Sequence, residues 1–370
     1  MHGETVLVTG GAGFIGRAVV RELVRQGASV RVLDALIRQV HGDAGWPEGL
    51  TDLADCRRGD VRDADAVRDA LRGVHSVIHL AAEVGVGQSM YAIERYTAAN
   101  DLGTAVLLEQ LIAHPVRRIV VASSMSIYGE GLYADVDGVL YPDVERRPGA
   151  LKLGAWDPVD AAGRALVPMP TPESKRPMLA SVYALGKYVQ ERMTLTVAQA
   201  YGIESAALRL WNVFGPGQAL SNPYTGVLAI FASRIANGRA PMVFEDGRQQ
   251  RDFVHVDDVA RAFVLALQSA DANGGVFNIG SGVARDVLSV ARDLGEAMGV
   301  AVTPEVTQTG RAGDIRHCLA DITAARAIGF APREGFADRL VDLAEWVVGQ
   351  EAVDHVATAT HELKERGLVT

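Results

Sequence analysis

Tyr183 and Lys187 close the run Tyr183-Ala184-Leu185-Gly186-Lys187, which on a helix puts a phenol and an ammonium one turn apart on the same face. A cation beside a phenol lowers its pKa, so the pair predicts a tyrosine able to exchange a proton with a substrate hydroxyl near neutral pH. On an ordinary surface helix this spacing is only a solvated pair, and a third group is needed to make it chemistry. Val120-Val121-Ala122-Ser123-Ser124 supplies one, reading as a buried strand that ends in hydroxyls at the carboxyl edge, where parallel sheets place their ligands. Ser124 is placed to hydrogen-bond the reacting oxygen and Ser126 to reach the same substrate. Ser124, Tyr183 and Lys187 form the candidate catalytic set.

The elements that must position them begin with an apolar strand, Thr5-Val6-Leu7-Val8-Thr9, which breaks into Gly10-Gly11-Ala12-Gly13-Phe14-Ile15-Gly16 and opens a helix. This is a dinucleotide cradle, with Phe14 and Ile15 in the first turn of its helix. Gly10 makes the tight turn, Gly13 lets backbone N–H groups approach a pyrophosphate, and Gly16 lets the helix lie close on the strand. The next strand, Ser29-Val30-Arg31-Val32-Leu33, ends in Asp34, where a carboxylate accepts both ribose hydroxyls of an adenosine. Such a carboxylate repels the extra phosphate of NADP, although Arg31 and Arg38 stand near it in sequence, so NAD is the expected cofactor. Asp60, in Gly59-Asp60-Val61, is placed to meet the adenine amine with Val61 beside it. In Val77-Ile78-His79-Leu80-Ala81-Ala82, Leu80 reaches the crevice and the small Ala81 and Ala82 leave room for the cofactor. Lys187 would then also hold the nicotinamide ribose.

A chain of 370 residues with 48% hydrophobic content can bury a full core and fits one large α/β domain with a smaller lobe or two modest domains. From residue 5 to about 125, short apolar strands alternate with helical periods, as at Ala64 to Leu71 and Ile93 to Leu111, which predicts a Rossmann-type doubly wound parallel sheet. The rhythm stops between Tyr128-Gly129 and Tyr183. That stretch is rich in Pro, Gly and Asp, with Trp156 as its one large anchor, and reads as a flap or as a surface excursion with its own small hairpin. The expected organisation is an NAD-binding domain over residues 1–210 with the flap inserted at about 130–180. A smaller α/β substrate-binding lobe follows over 211–350, some of its strands returning to the first domain, and then a helical tail over 351–370.

Net charge is −9 and the arginines are dispersed among acids, which excludes a nucleic-acid groove. Cys56 and Cys318 form neither a disulfide framework nor paired metal spacing and suit a reducing cytosol. No stretch is long and apolar enough to cross a bilayer, and the N-terminus enters a strand at once, so a cytoplasmic protein without a membrane partner is expected.

The chain resembles the extended short-chain dehydrogenase/reductase family, in particular its NAD-dependent nucleotide-sugar epimerases and dehydratases. The likeness rests on Thr9 to Gly16, Asp34, Gly59-Asp60-Val61, His79 to Ala82, Asn100, Ser123-Ser124 with Tyr128-Gly129, and Tyr183 with Lys187. It continues through Arg209 to Pro216, Asp246 to Phe253, Phe277 to Gly282 and Arg311-Ala312-Gly313-Asp314, and so covers nearly the whole chain. It implies tightly held NAD, with Asn100 among the cofactor residues, and a nucleotide-diphosphate sugar as substrate. It further implies Asn212, Arg251 and Arg311 on the diphosphate, Phe244 packed on the base, and Asp314 on its ribose. A homodimer is implied too, built from the helices near Ile93 to Leu111 and Ser181 to Ala200, which carry more apolar positions than one buried stripe needs.

Within the resemblance, the residues after Ser124 separate reactions. The 4,6-dehydratases carry an Asp-Glu pair there, to eliminate water across C5 and C6, and the decarboxylases a Glu in place of Ser126; here stand Met125 and Ser126. The epimerases that act at C3 and C5 use a Cys and a His in the pocket, and neither Cys56 nor Cys318 lies in a segment that reaches it. Oxidation and re-reduction at C4 remains, with a net 4-ketoreductase as the nearest rival and a non-catalytic NAD sensor disfavoured by the complete Ser/Tyr/Lys set. Glu83 to Tyr91, Ser123 to Gly131 and Leu220 to Gly226 are similar to the dTDP-L-rhamnose 4-epimerase group, while UDP-glucose and UDP-glucuronate 4-epimerases share most of these motifs. A dTDP-6-deoxyhexose is the expected substrate. The insert resembles one that elsewhere carries two cysteine pairs; it has none here, only aspartates such as Asp135, Asp137 and Asp160, so no metal is expected.

Overall fold

The computed structural model describes residues 1–43, 45–146, 148–151, 153–310, 314–333, 335–350 and 352–369. Its main sheet has seven parallel strands, in the order Gly275–Ile279, Glu204–Leu210, Arg118–Ser124, Ser76–His79, Thr5–Thr9, Ser29–Asp34 and Asp55–Arg58. The order doubles back beside Thr5–Thr9, so the carboxyl ends of its neighbours open a crevice there. Strands such as Arg118–Ser124, buried along their whole length, take Val and Ile on both faces because helices cover both. On one face Val19 and Leu23 of the helix Phe14–Arg25 pack with Val259 and Phe263 of Val256–Gln268. On the other, Val67 and Leu71 pack with Leu107 and Leu111.

The helical period at Ile93 to Leu111 is not one helix. It runs as Ile93–Thr97, a π-helical turn Ala98–Leu102, and Gly103–Ala113. The added residue turns Asn100 inward, where it is 1% exposed. Gly103 admits the close approach of Val61, whose Cγ2 stands 2.7 Å from where a β-carbon would be.

The insert has the expected small hairpin, Leu132–Ala134 against Leu140–Tyr141, but the hairpin is sewn into a second sheet. Leu132–Ala134 pairs antiparallel with Val167–Thr171, which runs parallel to His317–Ala320, then Gln250–His255 and Asn212–Phe214. Trp156 is buried, as its role of anchor required. The chain thus crosses repeatedly between the two sheets, and Gly275–Ile279 returns from the later half to extend the first. Among the described residues no helix is long and apolar enough to cross a membrane.

Candidate active site

A cleft of about 860 Å³ opens at the carboxyl edge of the main sheet and extends beneath the second. At one end the glycine cradle is built as its residue types require. Gly10 has φ +71°, and a β-carbon there would stand 2.7 Å from the Ala81 backbone nitrogen; on Gly16 it would stand 2.4 Å from the Gly10 carbonyl oxygen. A β-carbon on Gly13 would meet only the Gly10 oxygen, at 3.3 Å, so the helix N-terminus faces open space with Phe14 and Ile15 on the rim. Asp34 accepts from the backbone N–H of Ala12 at 3.0 Å and of Leu36 at 2.9 Å, which fixes its carboxylate at the cleft wall. Arg31 is tied to Asp55 at 2.7 Å and Arg38 to Asp43 at 3.0 Å, so both nearby cations already have carboxylate partners. Asp60 is held below the usual carboxylate range by its hydrogen bonds from Arg62. Val61, Leu80, Ala81 and Ala82 line the same wall. The donor set therefore fits NAD: a glycine turn for the pyrophosphate and an anionic group at the adenosine ribose.

Asn100 departs from this plan. Its amide oxygen accepts from the Glu83 backbone N–H at 2.7 Å and its amide nitrogen donates to the Glu83 carbonyl at 3.2 Å, behind the cleft wall. It shapes the loop that follows Ala82 and does not line the cavity.

Strand alternation separates the two serines at the end of Arg118–Ser124. The Ser123 hydroxyl donates to buried Glu191 at 2.6 Å, while the Ser124 hydroxyl faces the cleft and accepts from Ser126 Oγ at 2.9 Å. Tyr183 and Lys187 stand in the first turns of the helix Val182–Tyr201, capped by Ser181, whose hydroxyl accepts from the Ala184 N–H at 3.1 Å. The Tyr183 backbone N–H donates to Ser89 Oγ at 3.0 Å, pinning this helix end to the loop after Ala82. Ser124, Ser126, Tyr183 and Lys187 all line the cleft.

The electrostatics differ from expectation at one point. Burial pushes the Tyr183 phenol up, with its hydrogen bond to Ser124 pulling the other way. Lys187 is buried as well: its ammonium donates to Gln190 Oε1 at 2.8 Å, and burial brings it down to about 7. Below Gln190, its amide donates to Thr104 Oγ1 at 2.9 Å, Thr104 donates to the Asn100 carbonyl at 2.6 Å, and His79 bridges Thr104 and Thr9 at 2.9 and 2.7 Å. Since the Thr104 proton is committed, His79 donates from Nε2 and accepts at Nδ1, a neutral ring whose pKa burial lowers to about 3.

At the far end stand Asn212, Phe244, Arg251 and Asp314, all lining the cleft; Arg311 lies outside the described residues. The Asn212 amide donates to the Asp252 carbonyl at 2.9 Å. Arg251 donates to the Gln250 and Arg316 carbonyls at 3.0 and 2.9 Å and to that of Ile315, which leaves part of its five-donor fork for an anion. Behind it lies a buried ionic network that sequence reasoning missed. Arg146 from the insert pairs with Glu130 at 2.7 Å and Glu245 at 2.6 Å and donates to the Asp314 carbonyl at 2.5 Å. Arg316 pairs with Asp157, Glu245 and Asp246 at 2.7, 3.0 and 2.6 Å. Among the described residues no cluster of three or more His, Cys, Asp or Glu is arranged to hold a metal ion.

A model of the family described as "NAD dependent epimerase/dehydratase family" matches residues 6–145 and 163–280, a match interrupted inside the insert. The dTDP-L-rhamnose 4-epimerase of Burkholderia thailandensis is 35% identical over 352 residues, covering 94% of this chain and 96% of its own. Among solved structures, the UDP-glucose 4-epimerase of Thermotoga maritima with UDP-glucose is 30% identical, with a TM-score of 0.75 over 92% of this chain and 98% of its own. The UDP-glucose 4-epimerase of Thermus thermophilus in complex with NAD is likewise 30% identical, with a TM-score of 0.72 over 94% of this chain and 100% of its own.

Proposed function

The chain belongs to the NAD dependent epimerase/dehydratase family, and from that premise we propose that it inverts C4 of a nucleotide-diphosphate sugar, its substrate being a dTDP-6-deoxyhexose such as dTDP-L-rhamnose. The observation that carries this reading is the convergence of Ser124, Tyr183 and Lys187 in one cleft between a dinucleotide cradle and Asn212 and Arg251. Met125 and Ser126 follow Ser124, so the acid pair that an elimination needs is missing from that turn.

Held by the cradle, Asp34 and Asp60, NAD would supply a hydride acceptor and donor at C4. The residues of the chain do the rest. Ser124 hydrogen-bonds the C4 oxygen, and Tyr183 takes the C4 hydroxyl proton and later returns it. Lys187, one helical turn from Tyr183 on the same helix, would hold the nicotinamide ribose. Arg251 and Asn212 keep the diphosphate fixed, so that the 4-keto sugar alone turns over and presents its other face. Exposed apolar residues on Ile93–Thr97, Ala98–Leu102 and Val182–Tyr201, with Ile93 and Leu102 at 53% and Leu185 at 46%, support a homodimer through these helices.

The test follows the C4 hydrogen. If it passes to the cofactor and back, conversion of dTDP-L-rhamnose in deuterium oxide gives a product without deuterium on carbon. A one-dalton gain on carbon by mass spectrometry would show a solvent-exchanging enolate and overturn the C4 assignment. A UDP-hexose substrate is the second reading, favoured by the likeness to UDP-glucose 4-epimerases. A panel of UDP- and dTDP-sugars resolved by chromatography separates the two.

A further inference from the structure

The helix Val356–Glu365 closes the cleft from a direction that no catalytic motif predicts. We infer that its inner face is a wall of the sugar subsite, and that Leu363 and Ala359 make this wall select a methyl group over a hydroxymethyl or carboxylate at C6; the inference rests on the nucleotide-sugar reading above.

Val356, Ala359, Thr360 and Leu363 fall at i, i+3, i+4 and i+7, one stripe of a helix, and all four line the same cavity as Tyr183 and Arg251. Ala359 and Leu363 are 7% and 6% exposed, whereas His361 and Glu365, paired at 3.3 Å on another face, are largely in solvent. A helix of 10 residues does not hold itself together in water, so its contacts must order it. They reach both lips of the cleft. Glu362 Oε2 accepts from Tyr91 at 3.1 Å and Tyr224 at 3.2 Å, and the Arg366 guanidinium lies 4.3 Å over the Tyr91 ring. Just before the helix, Asp354 pairs with Arg239 at 2.9 Å and Arg234 at 3.3 Å, and the Val353 N–H donates to Ser221 Oγ at 3.0 Å.

The stripe meets the cleft at the loop after Ala82, the loop that also pins the helix end carrying Tyr183. A β-carbon on Gly87 would stand 3.3 Å from Leu363 Cδ2, and two residues further on Ser89 holds the Tyr183 backbone. The stripe carries no charge, and Thr360 has its only hydroxyl. A carboxylate pressed on such a wall loses hydration without gaining a cation, and a hydroxyl loses a hydrogen bond.

The experiment uses a matched pair, dTDP-6-deoxyglucose and dTDP-glucose, which differ by one hydroxyl. Wild type is expected to prefer the deoxy sugar by about 10- to 100-fold in kcat/KM, the range an apolar pocket achieves against an added hydroxyl. Leu363→Ser should bring the ratio to within a few-fold of unity; a ratio equal to wild type would overturn the inference. A second variant reads binding alone. Leu363→Cys should be shielded from a maleimide by dTDP-glucose and not by dTDP, with wild type as the blank for Cys56 and Cys318. Equal labelling with either ligand would place the helix away from the sugar and overturn the wall, whether or not the sugar turns over. Turnover of no dTDP- or UDP-sugar by wild type would instead refute the proposed reaction, and the labelling would still decide the wall.

Discussion

Burial pushes the Tyr183 phenol up, so at neutral pH it keeps the proton that its role in the proposed reaction exchanges. Tyr183→Phe keeps the ring and removes the proton. It is expected to lower kcat by about 10²-fold or more while the dissociation constant of the nucleotide sugar, read by calorimetry, stays within about twofold. Equal kcat with weakened binding would make Tyr183 a pocket wall. These residues were legible because the chemistry dictates their types: a hydroxyl at a strand end, and a phenol and an amine one turn apart. Gln190 was not. An amide three residues beyond a lysine resembles any helix surface position, and only the packing of Thr104 and His79 beneath it reveals that it holds the ammonium. Asn100 shows the converse, a family position whose side chain is committed to a backbone.

At the level of elements, the strands before residue 125 were readable because apolar runs and helical periods alternate. The insert was not, for two physical reasons. Its strand Val167–Thr171 contains Pro168 and Pro170, residues that argue against a strand within a sheet, and one of its two partners, His317–Ala320, lies about 150 residues away. Its function is electrostatic as much as architectural, since Arg146 delivers a charge to two buried acids and a hydrogen bond to the Asp314 carbonyl. Arg146→Ala leaves Glu130 and Glu245 without that partner. The expected loss of stability is about 3–5 kcal/mol by denaturant titration. The segment carrying Asp314 also loses its tether, so KM for the nucleotide sugar should rise about tenfold with kcat within about twofold. A KM equal to wild type would confine the network to a structural role.

For the molecule as a whole, the apolar surface at Ile93, Leu102 and Leu185 belongs to helices adjoining the cleft, and pairing two copies through them would bury it. Light scattering at micromolar concentration is expected to give twice the 39.4 kDa chain mass, and Leu102→Lys with Leu185→Lys should shift it toward the monomer. A monomer mass for wild type would reject the interface. Domain organisation was the hardest thing to read from composition, because the lobes are not consecutive in the chain: Gly275–Ile279 completes the main sheet from between two strands of the second, Gln250–His255 and His317–Ala320. That returning strand has a practical consequence for anyone dissecting the molecule. A fragment ending near residue 210 would leave Glu204–Leu210, buried at every position but the first, as a raw sheet edge with its peptide groups unpaired. Such an edge recruits strands from other chains, so the severed cofactor half should be an aggregating species, and biosynthesis must deliver about 280 residues before the first sheet can be finished.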